Sequence, residues 1–163
     1  MKLRGIALPL VVAGVLATAT LALAQHQHGG PDDQSAHMMA EDHRVPVKFP
    51  PQLRAHTLIN MRDHLLALAQ IQDALAAGAY DEAAKIAEQR LGMSSLIAHN
   101  AHEAAKYMPQ GMQDAGTAMH RGASRFAIEL QKTAVSEDLK PALAALAETT
   151  QACVACHAGY RLE

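Results

Sequence analysis

From Gln52 onward the chain is a succession of long Ala- and Leu-rich segments in which polar residues return at helical intervals. No window holds β-branched or aromatic residues in sustained alternation at period two, so strands are not expected and the fold class is all-α. Four helices follow from the pattern. The first spans about 52–77: Leu58, Met61, Leu65, Leu68 and Leu75 keep a three-four spacing that draws one apolar stripe, and Gly78 ends it. Asp81 caps a second, spanning 81–108, with Ile86, Leu91, Met93, Leu96 and Ile97 toward the core. Pro109 separates it from the third, because the residue before a proline is pushed out of helical geometry. The third, about 112–133, carries Met119, Phe126, Ile128 and Leu130, and its Gly116 and Gly122 allow close approach of another backbone or a flat ligand. The last starts near Asp138, which caps free amides while Pro141 falls in the first turn. Short connections favour antiparallel neighbours, and the expected architecture is an up-down-up-down four-helix bundle.

Composition adds a constraint on the core. Half of the 163 residues are hydrophobic, yet aromatics make up only 3% and Trp is absent. The interior must therefore be built from Leu, Ile, Met and much Ala, small residues that leave room between helices for something large. A charged fraction of 18% and a net charge of −2 describe one soluble domain, residues 52–163.

Two segments precede that domain. In residues 1–24, Lys2 and Arg4 form a positive n-region, 6–23 an apolar h-region, and Ala22-Leu23-Ala24 a small-x-small cleavage site, predicting a signal peptide and a mature start near Gln25. The competing reading is an uncleaved anchor, since 8–23 approaches bilayer-spanning length. The well-formed cleavage site and the polar segment after it favour export to the periplasm, with no stable membrane insertion once the leader is removed. Losing Lys2 and Arg4 from 14 basic residues leaves 12 against 16 acidic ones, so no basic patch suggests nucleic acid. Residues 25–51 carry four His, two adjacent Met, Pro and Gly with no apolar period, and are expected to be a disordered linker.

The only two cysteines lie at the end of the last helix, in Cys153-Val154-Ala155-Cys156-His157. At i, i+3 and i+4 the three chemical side chains project from one side of a helix. That spacing is the sign of c-type haem attachment: two thioethers to the macrocycle and an imidazole to its iron. A thioredoxin-like dithiol would sit near a βαβ unit, a zinc site would need a fourth ligand, and a disulfide would ignore the histidine. One covalent haem c would also supply the bulk that the Ala-rich core lacks.

The motif reads on through Ala158-Gly159-Tyr160-Arg161, and CxACHxxYR at the far C-terminus of an exported four-helix chain resembles the class II cytochromes c, over residues 52–161. The resemblance implies that His157 is the proximal iron ligand and that the first helix lies across the distal face. In low-spin relatives a first-helix Met is the second ligand, which raises the potential and suits electron transfer; in high-spin ones an apolar residue faces an open iron that binds gases such as NO or CO. Met61 is the expected distal ligand here. The family often places an Arg four residues before the distal residue, near a propionate, and Arg54 then points to Leu58 rather than Met61. His64 and His56 are further possibilities, and Arg62 is a second propionate contact to weigh with Arg54. His99, His102 and His120 are expected at the surface or in interhelical hydrogen bonds. The family also dimerises through its first two helices.

The function expected is an exported electron carrier acting with redox partner proteins, with no enzymatic turnover, since no acid, base or nucleophile constellation stands out. The alternatives are a five-coordinate gas-binding protein with Leu58 over the iron, and a copper-handling role for the tail, where His26, His28, His37, Met38, Met39 and His43 combine imidazole with thioether.

Overall fold

A computed structural model describes residues 41–163, and the expected signal peptide and most of the expected His/Met-rich linker lie outside the described residues. The described chain is mostly helical, with five helices and little sheet. Its elements are strand β1 (Val45–Val47), helices α1 (Pro51–Ala76), α2 (Tyr80–Ile86), α3 (Ala101–Ala105), α4 (Gln110–Ser136) and α5 (Lys140–Gly159), and strand β2 (Tyr160–Leu162).

The helix ends follow local chemistry. Gly78 adopts φ +70°, and its amide and that of Ala79 return to Leu75 and Ala74 oxygens at 3.1 and 2.8 Å, so α1 closes in a left-handed turn that only glycine enters without strain. Asp138 Oδ1 accepts the Lys140 amide at 3.0 Å at the start of α5, with Pro141 in its first turn.

Several expectations are corrected. The second helix is not continuous: after α2 it widens into a π-helical turn, Ala87–Leu91, then a 3-10 turn, Met93–Ser95, and irregular turns before α3. The Glu88 carboxylate accepts the Ser94 amide at 3.1 Å, and an amide bonded to that side chain cannot continue the helical ladder. Asp81 lies inside α2, whose N-cap is Ala79, while Ile97 is 94% exposed and Met93 lies at the surface.

The first-helix stripe is rotated. Leu65 is 69% exposed, and the buried face of α1 is Thr57, Asn60, His64, Ala67 and Ile71. Ile128 of α4 likewise faces out, whereas Met119, Phe126 and Leu130 are buried as expected. Strands do form: β1 pairs in parallel with β2, Val45 opposite Tyr160 and Val47 opposite Leu162. The linker therefore ends earlier than residue 51, because Val47 and Phe49 are buried against Ala104 and Met112.

Packing is uneven around the molecule. Helix α4 lies along α5, and an ideal Cβ built on Gly122 would fall 2.8 Å from Thr149 Oγ1 and 3.3 Å from its Cα, so the absence of a side chain sets that approach. Helix α1 instead makes its main contacts with α2 and the π-helical turn rather than with α4 or α5. One apolar cluster closes this side, and eight of its twelve buried members are alanine, which is why large residues such as Phe126 and Ile71 carry its bulk. The smaller cluster around Val47 and Phe49 is separate from it. A cavity opens where α1 stands off from α4 and α5.

Candidate functional site

The cavity holds about 470 Å³, within the range of small-molecule and cofactor sites. Helix α5 contributes Ala152, Cys153, Cys156 and His157 to its wall. Helix α1 contributes Arg54, Leu58, Asn60, Met61 and His64, a run at helical spacing. The structure thus brings all five sequence-predicted site residues, Arg54, Met61, Cys153, Cys156 and His157, to one cavity, together with the competing candidates Leu58 and His64.

The cysteines are free and half-buried, and burial pushes both thiols up from their ordinary range. Cys153 Sγ points back to the Thr149 carbonyl oxygen at 3.4 Å, while His157 is more exposed. Half-buried thiols raised in this way are poor partners for redox exchange with solvent, which requires an accessible thiolate. Gly116 of α4 also lines the cavity, with no atom within 4 Å of an ideal Cβ, so a flat group could lie against the bare backbone there.

Several wall residues were not singled out by sequence. Met108, Met112 and Met119 join Met61, giving four thioethers on one surface. Their signal was the repeated methionine along 108–119, where it reads equally as core filling. Arg44 and Arg161 join Arg54. Arg161 Nη1 pairs with Glu163 at 3.0 Å, and its buried Nε faces Asp42 Oδ2 at 3.5 Å without completing a hydrogen bond, so the guanidinium is loosely held by two carboxylates at the cavity wall. Arg161 reaches this wall because β2 returns the chain beside β1, a pairing that no sequence period announced.

The histidines meet their expectation in part: His102 is exposed and His120 hydrogen-bonds the Leu91 oxygen of the π-helical turn. His64 is 9% exposed, and His120 is equally buried. Both line the cavity with His99. Asn60 Nδ2 donates to the His99 oxygen at 3.2 Å, tying the irregular segment to α1. Arg90, on the π-helical turn, donates Nε to Asp63 Oδ2 at 3.0 Å beside His64 and pairs with the same carboxylate through Nη2, which holds the Asp63 carboxyl below its usual range. Burial pushes His64 down to about 4, assisted by His99 and His120, and lowers both of those as well.

A haem fits this donor set. Two cysteines and a histidine stand on one wall, a thioether or imidazole is available on the facing helix, apolar and bare-backbone surface lies between, and arginines are present for carboxylates. In comparisons with known proteins, no protein-family model, no curated protein and no solved structure matches this chain.

Proposed function

We propose that the chain is an exported c-type cytochrome that carries electrons between partner proteins, with one haem c held covalently by Cys153 and Cys156. The observation that carries this reading is the shared cavity: Cys153, Cys156 and His157 from α5 and Arg54, Leu58 and Met61 from α1 line the same space. In this reading α1, the interrupted α2–α3 segment, α4 and α5 are the four helices of an antiparallel bundle, and the chain resembles the class II cytochromes c. Bound there, the group would supply reversible one-electron exchange at iron. His157 and Met61 would hold the iron, and Arg54 and Arg161 would pair with the propionates. Leu58, Met108, Met112 and Met119 would supply the apolar part of the wall around it. The leader directs the protein to the periplasm, and the resemblance implies a homodimer through the first two helices.

The alternative role is gas binding at an open iron. Leu58 lines the cavity one turn before Met61, so a small change of register exchanges a thioether for an isobutyl group. A role for the His/Met-rich tail in copper handling rests, apart from the exposed His43, on residues outside those described.

The visible spectrum of the full chain, made with haem-attachment machinery, tests the reading. Low-spin ferrous α and β bands unchanged by carbon monoxide, and a Met61→Ala variant that becomes carbon monoxide sensitive, are expected. A high-spin, carbon monoxide-sensitive parent spectrum selects the gas-binding role. Absence of covalently retained haem after denaturation, in a chain whose Cys153 and Cys156 are intact, overturns both.

A further inference from the structure

Three imidazoles that the proposed haem reading does not use meet on the cavity wall. His64 comes from α1, His99 from the irregular segment before α3, and His120 from α4. Their ring centroids stand 4.8 Å (His64 to His99), 5.5 Å (His99 to His120) and 6.1 Å (His64 to His120) apart. A metal ion bonded to one nitrogen of each of three imidazoles at about 2 Å, at tetrahedral angles, sets the centroids about 5 Å apart. The triangle is therefore already close to the size a three-histidine centre requires.

The hydrogen bonds fix which nitrogens are available. His120 Nδ1 lies 2.7 Å from the Leu91 carbonyl oxygen, which can only accept, so Nδ1 carries the proton and Nε2 keeps its lone pair. Ser95 Oγ gives its own hydrogen to the Gly92 oxygen at 2.7 Å and so accepts from His99 Nδ1 at 3.2 Å, leaving His99 Nε2 as the free donor atom as well. His64 Nε2 is buried with no partner at all. A ligating histidine whose other nitrogen is held by a carbonyl or hydroxyl is the usual outer-shell arrangement of a metal centre. Burial also favours the neutral rings that metals bind.

We propose that His64, His99 and His120 bind one divalent cation of the zinc and copper class through their Nε2 atoms, with the fourth coordination position open to the cavity. Among the described residues no three His, Cys, Asp or Glu side chains stand close enough to hold a metal ion, so the proposal requires the three Nε2 atoms to converge when the ion binds. Three neutral imidazoles without a carboxylate suit zinc or copper rather than magnesium or calcium. Three protein ligands with one open position describe a site for an exchangeable molecule rather than a closed structural site. The site does not depend on the identity of the group beside Cys153 and Cys156.

The test uses the full chain as produced, with His26, His28, His37 and His43 changed to Gln so that the tail cannot compete. Zn2+ is titrated after chelator treatment, and X-ray absorption at the zinc edge reads the ligands. One equivalent bound through three imidazole nitrogens is expected. Changing His64, His99 or His120 to Ala should weaken it more than about 100-fold, Ser95→Ala about 10-fold, and His102→Ala not at all. Helical circular dichroism of each variant is compared with the parent, and His64→Gln substitutes if His64→Ala unfolds. Sulfur in the zinc shell, affinity unchanged in the triple alanine variant, or no zinc bound by the intact triad overturns the proposal. So does a His64→Ala variant whose haem spectrum changes while the parent binds no zinc, since His64 is then an iron ligand.

Discussion

The backbone of Val47 pairs with that of Leu162, and beyond the pair the Glu163 amide donates to the Val47 oxygen at 3.0 Å. Two segments from opposite ends of the described chain thus close over Phe49, which is 7% exposed and packs against Tyr107 at a ring separation of 6.1 Å. The C-terminus, where chains usually fray, is held by a strand ladder immediately after His157. Phe49→Ala is expected to lower the unfolding free energy by about 3 kcal/mol, and removal of residues 160–163 should increase proteolysis around Val45–Phe49, the segment that the strand pairing holds. Urea denaturation and limited proteolysis check the two outcomes; a truncated chain as protease-resistant as the parent would contradict the tethering.

Gly122 and Gly116, two turns apart on α4, should respond in opposite directions. At Gly122 any Cβ meets Thr149, whose Oγ1 is itself engaged with the Ala145 oxygen at 2.8 Å. Gly122→Leu is therefore expected to cost about 2 kcal/mol or more through overpacking. Gly116 borders open space, so Gly116→Ala in the haem-free chain should gain up to about 1 kcal/mol of helix propensity. Denaturant midpoints compare the pair.

Stability of the metal-free protein should fall in mild acid. His64 titrates near 4 in the folded state against an ordinary 6.5, chiefly because it is buried, with His99, His120 and Arg90 opposing its charge and Asp63 favouring it. Between those two values the unfolded chain binds the extra proton, so stability is complete above pH 6.5 and declines as pH falls toward 4. The difference amounts to about 3 kcal/mol from this ring, with His99 and His120 acting in the same direction. Unfolding free energy measured from pH 7.5 to 4.5 should slope accordingly, and His64→Gln should flatten the slope. An unchanged slope in that variant would place the titration elsewhere.

On the proposed reading, a chain that lacks the haem should expose the weakness of the Ala-rich interior. A chain with Cys153→Ala and Cys156→Ala, or one made without attachment machinery, is expected to show weaker helical circular dichroism and a melting temperature lower by more than about 10 °C. The reason is that the cavity between α1 and the α4–α5 pair then has nothing to fill it. A fully helical, equally stable haem-free chain would count against a buried macrocycle.

Local chemistry made much of this protein legible in its sequence. Gly78, Pro109 and Asp138 mark helix ends through backbone torsion, a missing amide and a capping oxygen, all properties of a few adjacent residues. The spacing of Cys153, Cys156 and His157 likewise places three side chains on one face of any helix that contains them. The face that α1 buries was a different matter. Leu65 reads as core and His64 as surface by hydrophobicity, yet the structure exposes the first and buries the second. The rings that surround His64 are His99 and His120, supplied from distant segments, and only tertiary packing brings them near. The interruption at Ala87–Leu91 and the pairing of Val45–Val47 with Tyr160–Leu162 belong to the same kind. Each depends on hydrogen bonds whose partners the one-dimensional pattern does not bring together, and so do the cavity's arginines and its triangle of histidines.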